Sequence, residues 1–396
     1  TLKKVKTLVS SSDLDALNYF IDYTFSDDES QVLLATNSEP IYRHSTLANY
    51  FVYNVENESL MAISEHKIQE PTFSPDGTKV AFARANNLYV KDLTSGKITQ
   101  VTFDGKKNEI INGITDWVYE EEFSESPKSN KEVFTFVRAF EWNADSNKIA
   151  FIRFDETDVP EFSMDRYGEG LYQTQQVFKY PKAGEANSKV SLHVYNLENK
   201  KTNEIKVDKT YNDFYIPRME WTKDADVLSA QYLNRHQNEL DLWFFNTKTG
   251  TSTLVLEEKD NAYIDITVNL TFLKDHSFIW TSEKDGYNHI YHYDKTGNLI
   301  NQVTKGNWEV TDYYGYDEKN DRIFYQSVEN GSINRDVYSI KLNGRDKRRL
   351  SKNEGSNFGN FSADFSYYIN AFSSATTPPV YSLNSAKTGD LIKSIK

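Results

Sequence analysis

The chain has 396 residues, 38% hydrophobic, 26% charged and 14% aromatic, a composition with ample apolar material for a folded core. Its 58 acidic and 45 basic residues leave a net charge of -13, which argues against nucleic acid as a partner and favours cationic ligands. The absence of cysteine excludes disulfides and thiolate chemistry, and no stretch approaches the roughly 20 apolar residues of a membrane span.

Read from the N-terminus, "TLKKVKTLVSSSDL" lacks the apolar core of a secretory leader, so any leader is expected to lie outside this chain or to have been removed. The stretch "YTFSDDESQVLLAT" around Phe25 combines a strand ending in an aromatic, a polar turn and an apolar strand. A fuller copy starts at Pro71, "PTFSPDGTKVAFARANNLYVKDLTSGKITQVT". Its turns, Pro75-Asp76-Gly77 and Ser95-Gly96-Lys97, carry the Asp and Gly residues that tight hairpins require, so the run predicts a small antiparallel meander. Further copies follow at Trp142 ("FEWNADSNKIAFIRF"), Trp221 ("MEWTKDADVLSAQYL"), Phe272 ("LTFLKDHSFIWTSE"), Tyr316 ("YGYDEKNDRIFYQS") and Phe361 ("GNFSADFSYYINAF").

Between the seven aromatics Phe25, Phe73, Trp142, Trp221, Phe272, Tyr316 and Phe361 the intervals are 48, 69, 79, 51, 44 and 45 residues. Most fall near the roughly 40 to 50 residues of a four-stranded propeller blade, and an irregular sandwich would not restate one turn so often. The expectation is therefore all-β: a single β-propeller domain over residues 1–396, with about seven to eight four-stranded antiparallel blades and room for the first to be incomplete. The two long intervals hold inserted segments at about 113–135 and about 156–188, the places where a repeat protein tends to carry function.

In the first insert, Asp116 to Phe123 reads "DWVYEEEF". Three successive glutamates on a strand cannot all face one ligand, because side chains alternate. On a helical turn neighbours are about 100° apart, and two adjacent glutamates can converge on one ammonium with its three donors. A solvated acidic turn is the alternative, while calcium fits poorly because no EF-hand-like spacing is present. Trp117 and Tyr119 are expected beneath the turn, fixing its direction or simply filling the core, with Glu120 facing away from the ligand toward a neighbouring base or solvent. The stretch "SESPKSNKEVFT", Ser124 to Thr135, reads as a flexible loop.

The second insert carries Phe162, Tyr167, Tyr172, Phe178 and Tyr180, which suit either a contact surface or an arm folded back on its own blade. Farther on, His289 and His292 in "HIYH" stand three apart in a predicted strand, on opposite faces, so they share no metal. No Gly-x-Ser-x-Gly elbow occurs anywhere, and neither a catalytic constellation, a metal nor a cofactor is expected.

Several stretches in collinear order resemble one family: "YRHS" at Tyr42 to Ser45, "GITDWVYEEEF", "FDETDVPEF" at Phe154 to Phe162, "YPKAGEAN" at Tyr180 to Asn187, "NRHQNELDLW" at Asn234 to Trp243 and "KGNWEVTDYYGYD" from Lys305. Over nearly its whole length the chain resembles the N-terminal β-propeller of dipeptidyl peptidase IV, among the prolyl oligopeptidase-type serine peptidases. The resemblance implies an eight-bladed propeller covering an α/β-hydrolase domain that releases Xaa-Pro or Xaa-Ala dipeptides. It implies that Glu121 and Glu122 hold the free N-terminal ammonium of a peptide and that Arg43 contacts the carbonyl of the penultimate residue. It implies too that the arm near Phe162–Tyr180 takes part in homodimer contacts. Three departures accompany it: the match ends near "LIKSIK" with no C-terminal hydrolase domain, seven copies stand for eight blades, and the Ser124 to Thr135 stretch intervenes after the glutamates.

The resulting expectation is the substrate-recognition and gating propeller of a bacterial dipeptidyl peptidase, periplasmic or secreted, inactive without its Ser-Asp-His triad. The alternative is a stand-alone propeller that binds peptides or a protein partner without catalysis. Lack of cysteine favours a bacterial origin over an animal ectodomain.

Overall fold

Each aromatic-ended run closes a strand. Phe25, Phe73, Trp142, Trp221, Phe272 and Phe361 are the last residues of strands Asp22–Phe25, Gln69–Phe73, Phe140–Trp142, Phe214–Trp221, Thr271–Phe272 and Ser356–Phe361, and Tyr316 is last but one in Val310–Asp317. The computed structural model describes residues 7–14, 17–123 and 137–395, and the expected flexible loop Ser124 to Thr135 lies outside them. Within the described residues each of these seven strands opens an antiparallel sheet whose strands neighbour one another in chain order. Six sheets have four strands. The sheet opened by Phe140–Trp142 continues through Lys148–Asp155, Lys189–Asn196 and Lys201–Ile205, and gains Ile110–Asn112 as a further strand paired with Lys148–Asp155.

The turn after the aromatic has a repeated construction that explains its legibility. Ser26 donates its N–H to Gln31 O at 2.9 Å and its hydroxyl to Asp28 at 2.7 Å. Ser74 and Ser362 repeat the arrangement with Asp76 at 2.6 Å and Asp364 at 2.7 Å. A short side chain that bonds its own turn competes with regular structure, so Ser-x-Asp ends one strand and aims the next.

The chain divides into two compact units, described residues 7–14, 17–123, 137–221 and 245–252 making one, and 222–244 and 253–395 the other. Inside the first unit consecutive sheets bury their faces on each other: Leu33 and Val52 pack with Val80, Phe82 and Tyr89, and Ala81, Leu88 and Val90 pack with Phe140, Ile149 and Phe151. The repeat aromatics also tie these sheets by hydrogen bonds. Trp142 Nε1 donates to Thr72 O at 3.3 Å, and Trp221 Nε1 donates to Glu141 O at 3.1 Å. Inside the second unit Ile279 and Ile290 pack with Tyr313, Ile323 and Tyr325, while Phe324 and Val337 pack with Phe361 and Tyr368. Burial on both faces is why "KVAFAR" and "DVYSI" read as continuous apolar runs rather than alternating ones.

The second insert is a two-stranded hairpin, Glu161–Arg166 against Thr174–Lys179, with Phe162 opposite Phe178. Its distal end is exposed, Tyr167 at 81%, Leu171 at 98% and Tyr172 at 84%, whereas Phe178 is buried. The hairpin thus combines a folded-back base with a free apolar tip.

Candidate functional site

Trp117–Glu122 is an α-helix, started by Asp116. Asp116 has extended backbone, its Oδ1 accepts the Tyr119 N–H at 2.9 Å, and its Oδ2 accepts the Ser188 hydroxyl at 2.6 Å. An aspartate here satisfies one of the amides that a helix start leaves without a partner. Burial pushes the Asp116 carboxyl up, opposed by the bonds from Ser188 and Tyr119.

Two aromatics set the direction of the helix. The buried Tyr119 hydroxyl accepts the Ile216 N–H at 2.7 Å, and its ring stands edge-on to Phe123 and Phe154 at 5.0 and 4.8 Å. Half-buried Trp117 packs edge-on against Tyr180 of the hairpin at 4.3 Å. With these residues facing inward, the helical rotation brings Glu121 to a half-buried position and Glu122 to an exposed one.

Arg43 stands on the turn between strands Gln31–Pro40 and Thr46–Asn54. The turn is tight: Ile41 N–H donates to Ser45 O at 2.8 Å and Tyr42 N–H to Ser45 Oγ at 3.2 Å. Arg43 Nη1 lies 3.2 Å from Glu121 Oε2, with the arginine side chain 72% exposed and the glutamate only 9%. The guanidinium is therefore largely open to solvent while the Glu121 carboxylate is mostly covered. Among the described residues no cationic side chain is paired with Glu122.

Glu120 turns neither to a basic side chain nor to solvent. It is fully buried, and its Oε1 accepts the backbone N–H groups of His44 at 2.9 Å and Ser45 at 2.8 Å. The hairpin supports the same turn from another side, where Gln176 Nε2 donates to Ile41 O at 3.2 Å and the Phe178 ring lies 5.4 Å from that of Tyr42. Behind the site, burial and then the Asp116 charge push the Glu156 carboxyl up to about 7, with Lys179 opposing. Burial, followed by the charges of Glu156, Glu120 and Asp116, pushes the Tyr42 hydroxyl above its ordinary range.

Sequence reasoning named Glu121, Glu122, Arg43, Trp117, Tyr119 and Glu120 but missed Asp116, Ser188, Glu156 and Gln176. Asp116 was within reach, because an aspartate ahead of an apolar-led run is a helix-start signal. The other three have no local signal: they stand 40 or more residues from Asp116 in sequence and meet this site only in the folded chain.

The remaining candidates resolve into local structure. His289 bonds to Thr304 Oγ1 and Gly306 O, each at 3.1 Å, and His292 bonds separately to Ser277 Oγ at 2.9 Å. Among the described residues one carboxylate trio, Glu239, Asp241 and Glu257, gathers its oxygens within 4.8 Å. Lys259 already supplies a cation there, 3.4 Å from Glu239 and 3.1 Å from Glu257.

Residues 26–379 match the family described as the dipeptidyl peptidase IV (DPP IV) N-terminal region. The chain is 28% identical over 405 residues to a probable dipeptidyl peptidase 4 of Aspergillus flavus, covering 96% of this chain and 51% of that one. It is 30% identical over 404 residues to a dipeptidyl peptidase 4 of Arthroderma otae, covering 96% and 50%. The chain thus spans about half the length of the curated relatives it matches. Among solved structures, Porphyromonas gingivalis dipeptidyl peptidase 4 is similar over 100% of this chain and 55% of its own, with TM-score 0.91 and 40% identity. A putative dipeptidyl aminopeptidase IV from Bacteroides ovatus shares the fold over 89% of this chain and 51% of its own, with TM-score 0.69 and 22% identity. The fold class is accordingly the expected one, an all-β β-propeller built of four-stranded antiparallel blades.

Proposed function

Since the chain belongs to the family of dipeptidyl peptidase IV N-terminal regions, we propose that it is the substrate-recognition and gating propeller of a serine exopeptidase that releases Xaa-Pro or Xaa-Ala dipeptides. In this reading a C-terminal α/β-hydrolase domain outside these residues supplies the nucleophile, acid and base. The observation that carries the reading is the placement of Glu121 and Glu122 on one helical turn with Arg43 Nη1 3.2 Å from Glu121.

The chemistry follows from charge. Carboxylates at the C-terminal turn of a helix gain nothing from its dipole, and two neighbours repel each other, so a cation between them is strongly favoured. A peptide's ammonium distributes its donors over both carboxylates in charge-assisted bonds. Arg43, largely exposed, donates to the carbonyl that follows. Fixing the amino end and the next carbonyl together sets a length of two residues before the bond to be cut, and an acetylated N-terminus has no charge to offer. The exposed hairpin tip at Tyr167, Leu171 and Tyr172 supports a homodimer contact near Phe162–Tyr180. We place the enzyme outside the cytoplasm, periplasmic or secreted. Among the described residues no helix is long and apolar enough to cross a membrane.

The test uses the complete polypeptide that carries this chain. Glu121→Gln and Glu122→Gln should each lower kcat/KM on a Xaa-Pro substrate about 10- to 100-fold, the worth of one hydrogen bond to a charged group. Unchanged rates in both variants would reject the reading, and binding of a free dipeptide without turnover would favour the stand-alone binding propeller.

A further inference from the structure

The ion pair between Arg43 and Glu121 does not fix Arg43, because an exposed guanidinium gains little from one carboxylate in water. What holds the arginine is its backbone. The tight turn from Ile41 to Ser45 presents the N–H groups of His44 and Ser45 to a single oxygen, Glu120 Oε1, at 2.9 and 2.8 Å. Glu120 is fully buried, and its other oxygen, Oε2, has no hydrogen-bond partner among the described residues. Burying a carboxylate with one oxygen unsatisfied is costly, so the site keeps an expensive group whose visible contacts are both with the Arg43 turn.

We propose that Glu120 is the positioning residue of the recognition site, setting the spacing between Arg43 and the adjacent pair Glu121 and Glu122. The inference rests on the N-terminal recognition reading above and deepens it. Of three consecutive glutamates, the first faces inward and binds the neighbouring turn, so one short helix carries both the ammonium-binding pair and the clamp for the carbonyl donor. Charge-assisted bonds from backbone amides are short and directional, and Oε1 lies one residue away from Glu121 on the same helix. A shift of the turn by an ångström would move Arg43 relative to the pair by the same amount, on a peptide whose ammonium-to-carbonyl distance is covalently fixed.

Glu120→Asp withdraws the carboxylate by one methylene while keeping its charge. In the complete polypeptide it should lower kcat/KM for a Xaa-Pro substrate on the order of 10- to 100-fold. Combined with Arg43→Ala it should cost no more than Arg43→Ala alone, because a misplaced arginine and a missing one are equivalent. Glu120→Gln retains an oxygen that accepts both N–H groups and should recover most of the loss. Losses that multiply in the double variant, or a Gln variant as impaired as the Asp variant, would overturn the proposal. Should Glu120→Asp fail to fold, Glu120→Gln decides: preserved slow exchange of the His44 and Ser45 amides with recovered activity supports it, and fast exchange with full activity overturns it. Glu121→Ala, measured alongside, separates the two readings: if it has no effect, N-terminal recognition itself fails, whereas a large effect there with multiplicative losses at Glu120 removes only the positioning role.

Discussion

Glu156 gives the stability of the fold a pH dependence that can be signed in advance. Its carboxyl has a reference value of 4.5 and is pushed up to about 7 in the fold, by burial first and the Asp116 charge second. Between those values the folded chain keeps a proton that the unfolded chain has released. Stability therefore falls as pH rises from about 4.5 to about 7 and stays reduced above, by an amount of up to about 3 kcal/mol. Glu156→Gln should remove this slope, so urea unfolding of wild type and variant should differ more at pH 8 than at pH 5. An equal difference at both pH values would mean that Glu156 titrates normally. Nothing near Glu156 in sequence announces this, since "FDETDVPEF" is an ordinary acidic stretch until folding sets it behind the helix. The glutamate run itself was legible as a cation site only as one of two readings. That its first member is buried follows from the inward packing of Trp117 and Tyr119, which decides which face of the helix is the inner one.

At the scale of elements, the repeated meander places similar turns in different surroundings. Gly96 and Gly389 each follow the third strand of a sheet with left-handed backbone, φ 71° and 75°. A Cβ at Gly96 would meet nothing within 4 Å, whereas one at Gly389 would stand 2.2 Å from Leu350 O. Gly96→Ala should therefore cost only the conformational penalty, about 1 kcal/mol. Gly389→Ala must also displace backbone and should cost roughly 2–4 kcal/mol. Urea unfolding of the two variants measures the contrast, and equal losses would mean that the Leu350 backbone yields freely. The sequence analysis picked out Ser95-Gly96-Lys97 as a turn, but no local pattern reveals that Gly389, unlike Gly96, lies against the Leu350 backbone.

For the whole molecule, the net charge of -13 would act in the same direction as the proposed carboxylate pair on a cationic peptide end. The Debye length shrinks from about 30 Å at 0.01 M salt to about 3 Å at 1 M. For the complete polypeptide, kcat/KM on a free N-terminal substrate should fall several-fold across that range. Glu122→Gln should flatten the fall. A rate independent of salt would place the binding energy elsewhere than in Glu121 and Glu122.

By itself the sequence determined the fold class, because it rests on local chemistry. Aromatic-ended strands, polar turns and apolar runs recur every 44 to 51 residues outside the two long intervals, and each can be read within a dozen residues. It also determined that the acidic run would need a helical turn to bring two glutamates to one cation. Tertiary structure decided the rest: that Arg43 meets Glu121, that Glu120 binds the turn of His44 and Ser45, and that Glu156 shares the field of Asp116. These contacts join residues 40 to 78 positions apart, where no local pattern records which loop will lie beside which. The physical reason is that sheet packing fixes the loops' relative positions through burial spread over many side chains, while the recognition chemistry depends on distances of about 3 Å between a few polar atoms.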